Sequence, residues 1–557
     1  MAARATRANP KNRSRQDRLQ PDGSQKNRSQ TALAPSAWTQ QFLLFAVFFA
    51  GLMLLHAPLL RLPYFWDEAG YYVPAARDLY FSGTLIPHST PSNAHPPLVM
   101  AWLALAWRVA GYSTVITRTA MLALAAFSLL GLFRLVRAVA NSQVASATTV
   151  LVALYPVFFT QSSLAQVDLP AAGLTFWALL AYVEDRPWSQ VLWFSLAALA
   201  KETAILAPVA LFGWELIARL IRPRWPELAP PPERRTRALY LLLPAAPLAY
   251  WYLYHYAKTG FLLGNPEFLR YNLTATLDPL RIPLAFLLRL WQLLGYFGLY
   301  FLTLAGVLAM TRAPQVEGGI ARPRIAIWQQ AAFLVVLVAY LFFMSAVGGA
   351  VLARYLLPVL PLVIMAWVST VWRRVRYWKA IVVAIAIAFV AGLFVNPPYG
   401  FSLEDNLAYR DYVVMHAEAT RFMALRSPNS RVLTAWPASD ELTRPWLGYV
   451  PRPIPVLRIE DFTAPQVEMA AACRGHFEEA LAFSTKYEPP HPILENWGWW
   501  QRIKERFFGY HRDLSPEEIA QRLGGRPAFL KELNGQWVAV IEVDQSRPQG
   551  SEGCSIR

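Results

Sequence analysis

The chain has 557 residues, of which 55% are hydrophobic and 16% are charged, with a mean hydropathy of +0.28. This composition is too apolar for an ordinary soluble protein and is typical of a multi-pass membrane protein. The net charge is +16, but most basic residues lie in the N-terminal tail or in short gaps between apolar runs, as in cytoplasmic loops of membrane proteins. Because no basic face carries interleaved aromatic residues, we exclude nucleic acid as a partner.

The first third of the chain begins with a polar tail and continues into apolar runs. Residues 1–36 are rich in Arg, Lys, Ser and Gln and are predicted to be a disordered, basic, cytoplasmic tail. The run that follows has a long basic flank and no small-residue cleavage site, which predicts a retained anchor. Residues 97–111 are barely long enough to cross a bilayer and are predicted to lie along its outer face.

Apolar runs of about 17–25 residues indicate membrane spans. They predict about eleven transmembrane helices, near residues 37–60, 118–138, 145–162, 169–184, 188–200, 203–221, 238–257, 283–310, 326–347, 351–371 and 378–396. Arg and Lys cluster in alternate gaps, such as Arg134 with Arg137 and Arg373 with Arg374. With these gaps in the cytoplasm, the N-terminus is cytoplasmic and the C-terminus is outside. We therefore expect a multi-pass protein of the inner (plasma) membrane.

The composition changes after about residue 397. Residues 397–557 contain charged segments and short strand-like runs, which predict a small soluble α/β domain outside the membrane. The predicted fold class is thus an all-α polytopic membrane domain at 37–396, followed by this domain. Cys473 and Cys554 are the only cysteines. They could pair in an oxidising compartment, but two free thiols are an open alternative.

The first outer loop contains the most informative motif, Tyr64-Phe65-Trp66-Asp67-Glu68-Ala69-Gly70-Tyr71-Tyr72. Carboxylates at a bilayer face are costly unless they are solvated or partnered, so Asp67 and Glu68 indicate a site. The alternative is an aromatic belt with a solvated acidic cap. Further candidates at predicted outer positions are His88, His95, Asp168, Lys201, Arg270, Arg354 and Tyr355.

Each of these further candidates also has a structural explanation. Asp168 could cap the N-terminus of a helix, and Lys201 and Arg354 could extend to lipid headgroups. His88 and His95 could be ordinary loop residues. No cofactor is certain. A divalent metal held by His, Asp and Glu stays possible, although no metal-ligand spacing is present.

The order and sidedness of the motifs resemble the GT-C glycosyltransferases that use polyprenyl-phosphate sugars. The nearest resemblance is to the family-39-like group of protein O-mannosyltransferases and lipid A aminoarabinose transferases. It covers residues 37–396 and rests on Trp66-Asp67-Glu68-Ala69-Gly70-Tyr71, His95-Pro96-Pro97-Leu98, Asp168-Leu169-Pro170, Ala200-Lys201-Glu202 and Arg354-Tyr355-Leu356-Leu357-Pro358. The chain departs from the family pattern at His95, where Lys is commoner, and at Glu202, which replaces Gly. The Arg354 element matches loosely.

The resemblance implies a hexosyl- or pentosyltransferase. It would move a sugar from a polyprenyl-phosphate donor to a lipid, polysaccharide or protein acceptor at the outer face of the lipid bilayer. Asp67 would be the base, and Glu68 would orient it or bind sugar. Lys201 and Arg354 would bind the lipid phosphate, for which a guanidinium fork is well suited. Donor or acceptor contacts are also implied for Asp168, Tyr355, His88, His95 and, more weakly, Arg270.

Two other classes of function stay open. A transporter or flippase of lipid-linked glycans would keep ionisable residues near the bilayer midplane, whereas here most charges lie at span ends. A non-catalytic membrane sensor would not need the cluster of carboxylates and cations. The chain has no P-loop and no Asp-x-Asp element, which disfavours a nucleotide-sugar donor held through a metal.

Overall fold

The computed structural model describes residues 37–231, 238–264, 266, 270, 276–491 and 496–545. Among the described residues, those from residue 44 onward form one compact unit, and residues 37–43, at the start of the first helix, are assigned to a second unit. The predicted disordered tail at 1–36 and Cys554 lie outside the described residues. Cys473 is buried and disulfide-bonded.

Helices make up most of the described chain. They are α1 (Ala37–His56), α2 (Val73–Ser82), α3 (Leu98–Ala110), α4 (Thr114–Val139), α5 (Ser142–Leu154), α6 (Pro156–Gln161), α7 (Asp168–Val183), α8 (Pro187–Ala200), α9 (Leu206–Ile221), α10 (Ala245–Thr259), α11 (Arg281–Leu294), α12 (Leu299–Met310), α13 (Ile327–Ala346), α14 (Leu360–Arg374), α15 (Trp378–Phe394), α16 (Ala408–Arg426), α17 (Ala438–Thr443), α18 (Ala464–Ala471), α19 (Gly498–Phe508) and α20 (Pro516–Leu523).

Five helical stretches among the described residues are long and apolar enough to cross a membrane. They are Trp38–Leu59, Thr114–Val139, Glu202–Ile221, Arg281–Met310 and Ile327–Ala346. Shorter apolar helices include α3, α5, α7 and α15. The prediction of a mostly helical, multi-pass membrane protein is confirmed. The count of eleven spans and the orientation of the termini stay predictions, as does the placement of residues 97–111, which form α3, along the outer face.

Helices α4 and α7 form the centre of the helical part. In α4, 16 of 26 residues are buried, and in α7, 15 of 16. A helix that is apolar on all sides is typical of such a buried position. The two helices lie so close together that a Cβ at Gly173 of α7 would be 1.8 Å from the Ser128 hydroxyl oxygen of α4. Small residues permit this kind of contact between membrane helices.

The C-terminal part contains a five-stranded mixed sheet. Its strands are β3 (Val432–Ala435), β4 (Val456–Ile459), β5 (Glu479–Phe483), β6 (Gly525–Leu533) and β7 (Gln536–Val543), in the order β4-β3-β5-β7-β6; a separate two-residue pair, β1 (Val316–Glu317) and β2 (Ile320–Ala321), lies between α12 and α13. Strand β3 is parallel to β4 and β5, and β7 is antiparallel to β5 and β6. The predicted α/β character is confirmed, and the domain boundary at residue 397 stays a prediction.

The C-terminal part packs directly on the loop that contains Asp67 and Glu68, which is the predicted first outer loop. The Tyr64 backbone N–H donates to the Leu447 carbonyl (3.2 Å), and the Tyr449 hydroxyl donates to the Tyr64 carbonyl (3.0 Å). The indole of Trp436 is so close to Gly70 that a Cβ there would lie 2.7 Å from the ring. Gly70 therefore permits the contact that holds the loop beneath the sheet.

Candidate active site

A cavity of about 520 Å³ lies between the first outer loop, the ends of several membrane helices and the C-terminal sheet. Five of the residues predicted from the sequence line it: Asp67, His95, Lys201, Arg354 and Tyr355. The sheet part contributes Trp436, Arg458, Thr485 and Lys486. The cavity is therefore formed jointly by the membrane helices and the C-terminal part.

The backbone at the start of the loop turns Asp67 into this cavity. Trp66 has a φ of 46°, in the left-handed region that non-glycine residues seldom adopt. A single π-helical turn, Glu68–Tyr72, follows directly. Such strained residues and π turns cluster at functional sites. The Trp66 ring is held against Tyr412 and Trp436, with centroids 5.6 and 5.5 Å apart.

Arg354 is the centre of the charged cluster. Its Nη2 lies 2.5 Å from Oδ2 of Asp67, its Nε lies 3.2 Å from Oδ2 of Asp168, and its Nη1 is bonded to Oε2 of Glu404. The arginine is 2% exposed. A buried guanidinium of this kind is tolerated when its charge is paired and its hydrogen bonds are made. All three of its nitrogens thus face carboxylates.

Lys201 and Tyr355 complete one wall of the cluster. The Lys201 ammonium is bonded to Oδ1 of Asp168 and lies 4.0 Å from the centroid of the Tyr355 ring. The guanidiniums of Arg289 and Arg354 both lie 5.5 Å from the same ring. A ring face attracts cations, so Tyr355 helps to hold three positive charges close together.

Glu68 faces away from the cavity. It is fully buried, and its two carboxylate oxygens each lie 2.6 Å from a guanidinium nitrogen of Arg118. The same oxygens accept hydrogen bonds from the backbone N–H groups of Phe65 and Ala165, both at 2.7 Å. This bidentate pair fixes the loop. The described geometry does not bring Glu68 to the cavity that Asp67 lines.

The remaining predicted residues divide into two groups. His95 lines the cavity, and its Nδ1 lies 2.8 Å from Oε2 of Glu202. Asp168 is buried behind Arg354 and Lys201 and is not among the lining residues. His88 is 63% exposed beside Asp78, outside the cavity. Arg270 is exposed and also outside it.

Several residues of the cavity and of its charged surroundings were not predicted from the sequence. Glu404 is the clearest omission, because Glu404-Asp405 follows the last apolar run just as Asp67-Glu68 follows the first. That shared position was a usable signal. Arg118 and Arg289 resemble ordinary arginines near helix ends and gave no separate signal. Arg458 and Lys486 reach the cavity through the fold of the sheet.

The carboxylates of the cluster outnumber the cations that pair with them directly. Three carboxylates, from Asp67, Asp168 and Glu404, compete for two directly paired cations, Arg354 and Lys201, while a third cation, Arg289, lies 5.5 Å from the centroid of the Tyr355 ring. Burial raises the pKa of Glu404, although Arg354 opposes the rise. Burial therefore disfavours the charged form of Glu404.

The described residues contain no group of three or more His, Cys, Asp or Glu side chains that could hold a metal ion. The acidic residues of the cavity are instead paired with Arg354, Lys201 and His95.

Part of the sequence matches a known family. Residues 94–251 match the family model described as dolichyl-phosphate-mannose-protein mannosyltransferase. The matched segment includes His95, Asp168 and Lys201. No curated protein sequence matches the chain.

The fold matches solved structures over most of its length. ArnT from Cupriavidus metallidurans, bound to undecaprenyl phosphate, is similar with a TM-score of 0.53 and 14% identity, covering 92% of this chain and all of that one. AglB from Archaeoglobus fulgidus, with an inhibitory peptide and a dolichol-phosphate, is similar with a TM-score of 0.46 and 11% identity, covering 92% of this chain and 75% of that one. The arabinofuranosyltransferase AftD from Mycobacteria is similar with a TM-score of 0.42 and 14% identity, covering 92% of this chain and 40% of that one. The chain therefore has a fold similar to that of ArnT, and the family-model match over residues 94–251 is in line with the resemblance that its motifs indicated.

The first testable prediction concerns Asp405. Burial, with the neighbouring Glu404, raises the pKa of Asp405 from 3.8 to about 7. The folded protein therefore holds this proton more tightly than the unfolded chain does, and the resulting loss of stability grows as the pH rises from 3.8 to about 7. Asn cannot ionise but can still accept the hydrogen bond that the Tyr296 hydroxyl donates (2.7 Å).

Asp405→Asn should thus raise the melting temperature of the purified protein more at pH 8 than at pH 5. Thermal unfolding of both proteins at the two pH values tests this. An equal shift at both would contradict a raised pKa.

Proposed function

We propose that the chain is an integral-membrane glycosyltransferase. It moves a hexosyl or pentosyl group from a polyprenyl-phosphate donor to an acceptor on the outer face of the membrane. The observation that carries the proposal is the Asp67–Arg354 pair (2.5 Å) in a cavity at the ends of membrane helices. It joins a carboxylate that can accept a proton to a cation that can bind a phosphate. The family-model match of residues 94–251 and the similarity of the fold to ArnT bound to undecaprenyl phosphate support it.

Asp67 is the proposed general base. Its side chain is 22% exposed, Oδ2 is bonded to Arg354, and Oδ1 has no hydrogen-bond partner among the described residues. Oδ1 can therefore accept the proton of an acceptor hydroxyl group while the oxygen of this hydroxyl group attacks the anomeric carbon of the donor sugar. Glycosyl transfer needs this step because a neutral hydroxyl is a weak nucleophile. Glu68 acts as a positioning residue, since its pair with Arg118 fixes the loop that carries Asp67.

Arg354 and Lys201 are the proposed ligands of the lipid phosphate. The phosphate leaves as an anion when the bond to the sugar breaks, and preorganised cations stabilise that charge. Arg354 already has a carboxylate on each nitrogen, so the phosphate must displace one of them. Asp168 is also bonded to Lys201, and Asp67 is the base. Glu404, whose pKa is raised by burial, is the carboxylate that we expect to yield.

The other cavity residues receive supporting roles. Tyr355 holds the cations together, Asp168 orients Lys201 and Arg354, and His95 with Glu202 forms the wall where the sugar hydroxyls would bind. His88 and Arg270, which lie outside the cavity, receive no contact in this proposal. The N-terminus is cytoplasmic and residues 397–557 are extracytoplasmic, so that the sheet covers the cavity from the acceptor side.

The second prediction tests the base. Asp67→Asn is nearly isosteric and keeps an oxygen for Arg354, but it cannot take up the proton. Removing a general base costs roughly 10²–10⁴-fold in rate, so kcat should fall by that amount while donor KM changes little. The assay is transfer by the purified protein from a synthetic polyprenyl-phosphate sugar. His88→Ala, in the same loop but outside the cavity, is the matched control and should keep its activity. Near wild-type turnover by Asp67→Asn would remove Asp67 from the role.

The third prediction tests whether the lipid phosphate displaces the Glu404 carboxylate from Arg354. Glu404→Gln removes the competing charge and replaces a charge-assisted hydrogen bond to Arg354, worth about 1.5–3 kcal/mol, by a neutral one worth about 0.5–1.5 kcal/mol. Donor KM should therefore fall several-fold. Arg354→Lys should raise it, because a point charge replaces a planar fork.

Asp405→Asn is the matched control for Glu404→Gln. It neutralises the adjacent buried carboxyl, which has no bond to Arg354, and should leave donor KM unchanged. If Glu404→Gln raised donor KM, Glu404 would be assigned to substrate binding instead. If neither Glu404→Gln nor Arg354→Lys changed it, the phosphate role would pass to Lys201.

A further inference from the structure

A second cavity lies at the opposite end of the helical bundle. Its volume is about 640 Å³, and it is lined by residues from α12, α13 and α14. Helix α14 connects the two regions, because Arg354 and Tyr355 precede its first turn, and Arg373 and Arg374 at its end line the second cavity. Its 15 residues span about 22 Å. The arginine end of the second cavity therefore lies at the end of α14 far from the candidate active site, and the cavity extends along α14 as far as Leu362 and Val363 in its first turn.

The walls of this cavity are apolar. They include Met310, Leu334, Leu337, Met365 and Trp367. The helices that supply them include two of the stretches long enough to cross a membrane. A groove of this kind between spanning helices excludes water and favours a hydrocarbon chain, because transfer of apolar surface out of water is favourable.

The rim of the cavity is formed by three arginines, Arg324, Arg373 and Arg374. The backbone holds two of them in place. Arg374 donates to the carbonyl oxygens of Met310 (3.0 Å) and Arg312 (2.6 Å), and Arg373 donates to that of Arg322 (2.9 Å). These bonds orient the guanidiniums without neutralising their charge.

No carboxylate of the described residues forms an ion pair with the three rim arginines. The acidic side chain that the structure pairs in this loop, Glu317, is bonded to Arg322 instead. Three like charges held side by side repel one another, and an anion placed between them relieves that repulsion. The rim therefore has the chemistry of an anion site, directly above an apolar groove.

We propose that this cavity binds an anionic phospholipid of its own leaflet. The phosphate lies between Arg324, Arg373 and Arg374, and one acyl chain occupies the groove along α13 and α14. Basic pockets between membrane helices bind such headgroups. The charge on the rim selects an anionic lipid over a zwitterionic one, and the apolar groove selects a lipid over a free phosphate. This inference does not rest on the proposed enzymatic activity.

The experiment measures lipid retention by native mass spectrometry on the full-length purified protein. Phosphatidylglycerol and phosphatidylcholine of identical acyl composition are the probes. The wild-type protein should retain phosphatidylglycerol in preference. Arg324→Gln/Arg373→Gln should bind it roughly 30-fold more weakly, because each juxtamembrane arginine is worth about fivefold in affinity. The carbonyl contacts of Arg374 are kept in this variant.

The matched control is Arg312→Gln/Arg376→Gln. It removes the same charge from exposed arginines outside the cavity lining and should bind phosphatidylglycerol like the wild type. Ala366→Phe leaves the charge intact but fills the groove, since Ala366 is an exposed lining residue, and it should also lower retention. Melting temperatures confirm that each variant is folded.

Three results would overturn the proposal. An equal loss in the control variant would mean that the arginines attract anionic lipid through net charge alone. Equal retention of phosphatidylglycerol and phosphatidylcholine by the wild type, or undiminished retention by Ala366→Phe, would mean that the groove is not a lipid site.

Discussion

The geometry of the cavity depends on the pairing of one buried arginine. Arg354 is reached by carboxylates from three distant parts of the chain: Asp67 in the first outer loop, Asp168 at the start of α7, and Glu404 after the last membrane helix. Leaving a buried charge without its partner costs several kcal/mol. The three segments are consequently tied to a single point, and each helps to fix the others.

The same pairing constrains the chemistry. An arginine with a carboxylate on each nitrogen cannot bind a phosphate until one of these carboxylates withdraws. In the proposed mechanism this carboxylate is Glu404, whose charged form is disfavoured by burial. Catalysis in this account therefore begins with an exchange of anions on Arg354, before any bond to sugar is made or broken.

The C-terminal part is a component of the site. Trp436 lies against Gly70, Tyr449 is bonded to the backbone of Tyr64, and Lys486 lines the cavity from above. The segment that carries Glu404 is anchored to α6, since the Thr160 hydroxyl donates to the Glu404 carbonyl (2.6 Å). Movement of the sheet relative to the helices would thus change both the roof of the cavity and the carboxylate on Arg354.

The sequence predicted much of this arrangement where the signal was local. Hydropathy identified the long apolar helices, and the order of short motifs led to Asp67, Lys201 and Arg354. The residues themselves did not distinguish Asp67 from Glu68, and only the family resemblance gave Asp67 the role of base. The φ of Trp66 and the π turn decide which of the two adjacent carboxylates faces the cavity.

Contacts between distant segments were harder to foresee. Short helices such as α5 and α7 lie inside the bundle, and their length alone does not show whether they cross the membrane. Arg118 looked like an arginine at a span end, and nothing near it in the sequence indicated its pair with Glu68. Lys486 reaches the cavity through the pairing of strands that are far apart in the chain. Such residues are fixed by tertiary structure alone.

The most direct test of the account is an experimental structure of the full chain with a bound polyprenyl phosphate. The account predicts a phosphate oxygen within about 3 Å of a guanidinium nitrogen of Arg354, with the Glu404 carboxylate released from Nη1 and Asp67 still facing the cavity. A phosphate bound elsewhere, with all three carboxylates still on Arg354, would contradict it.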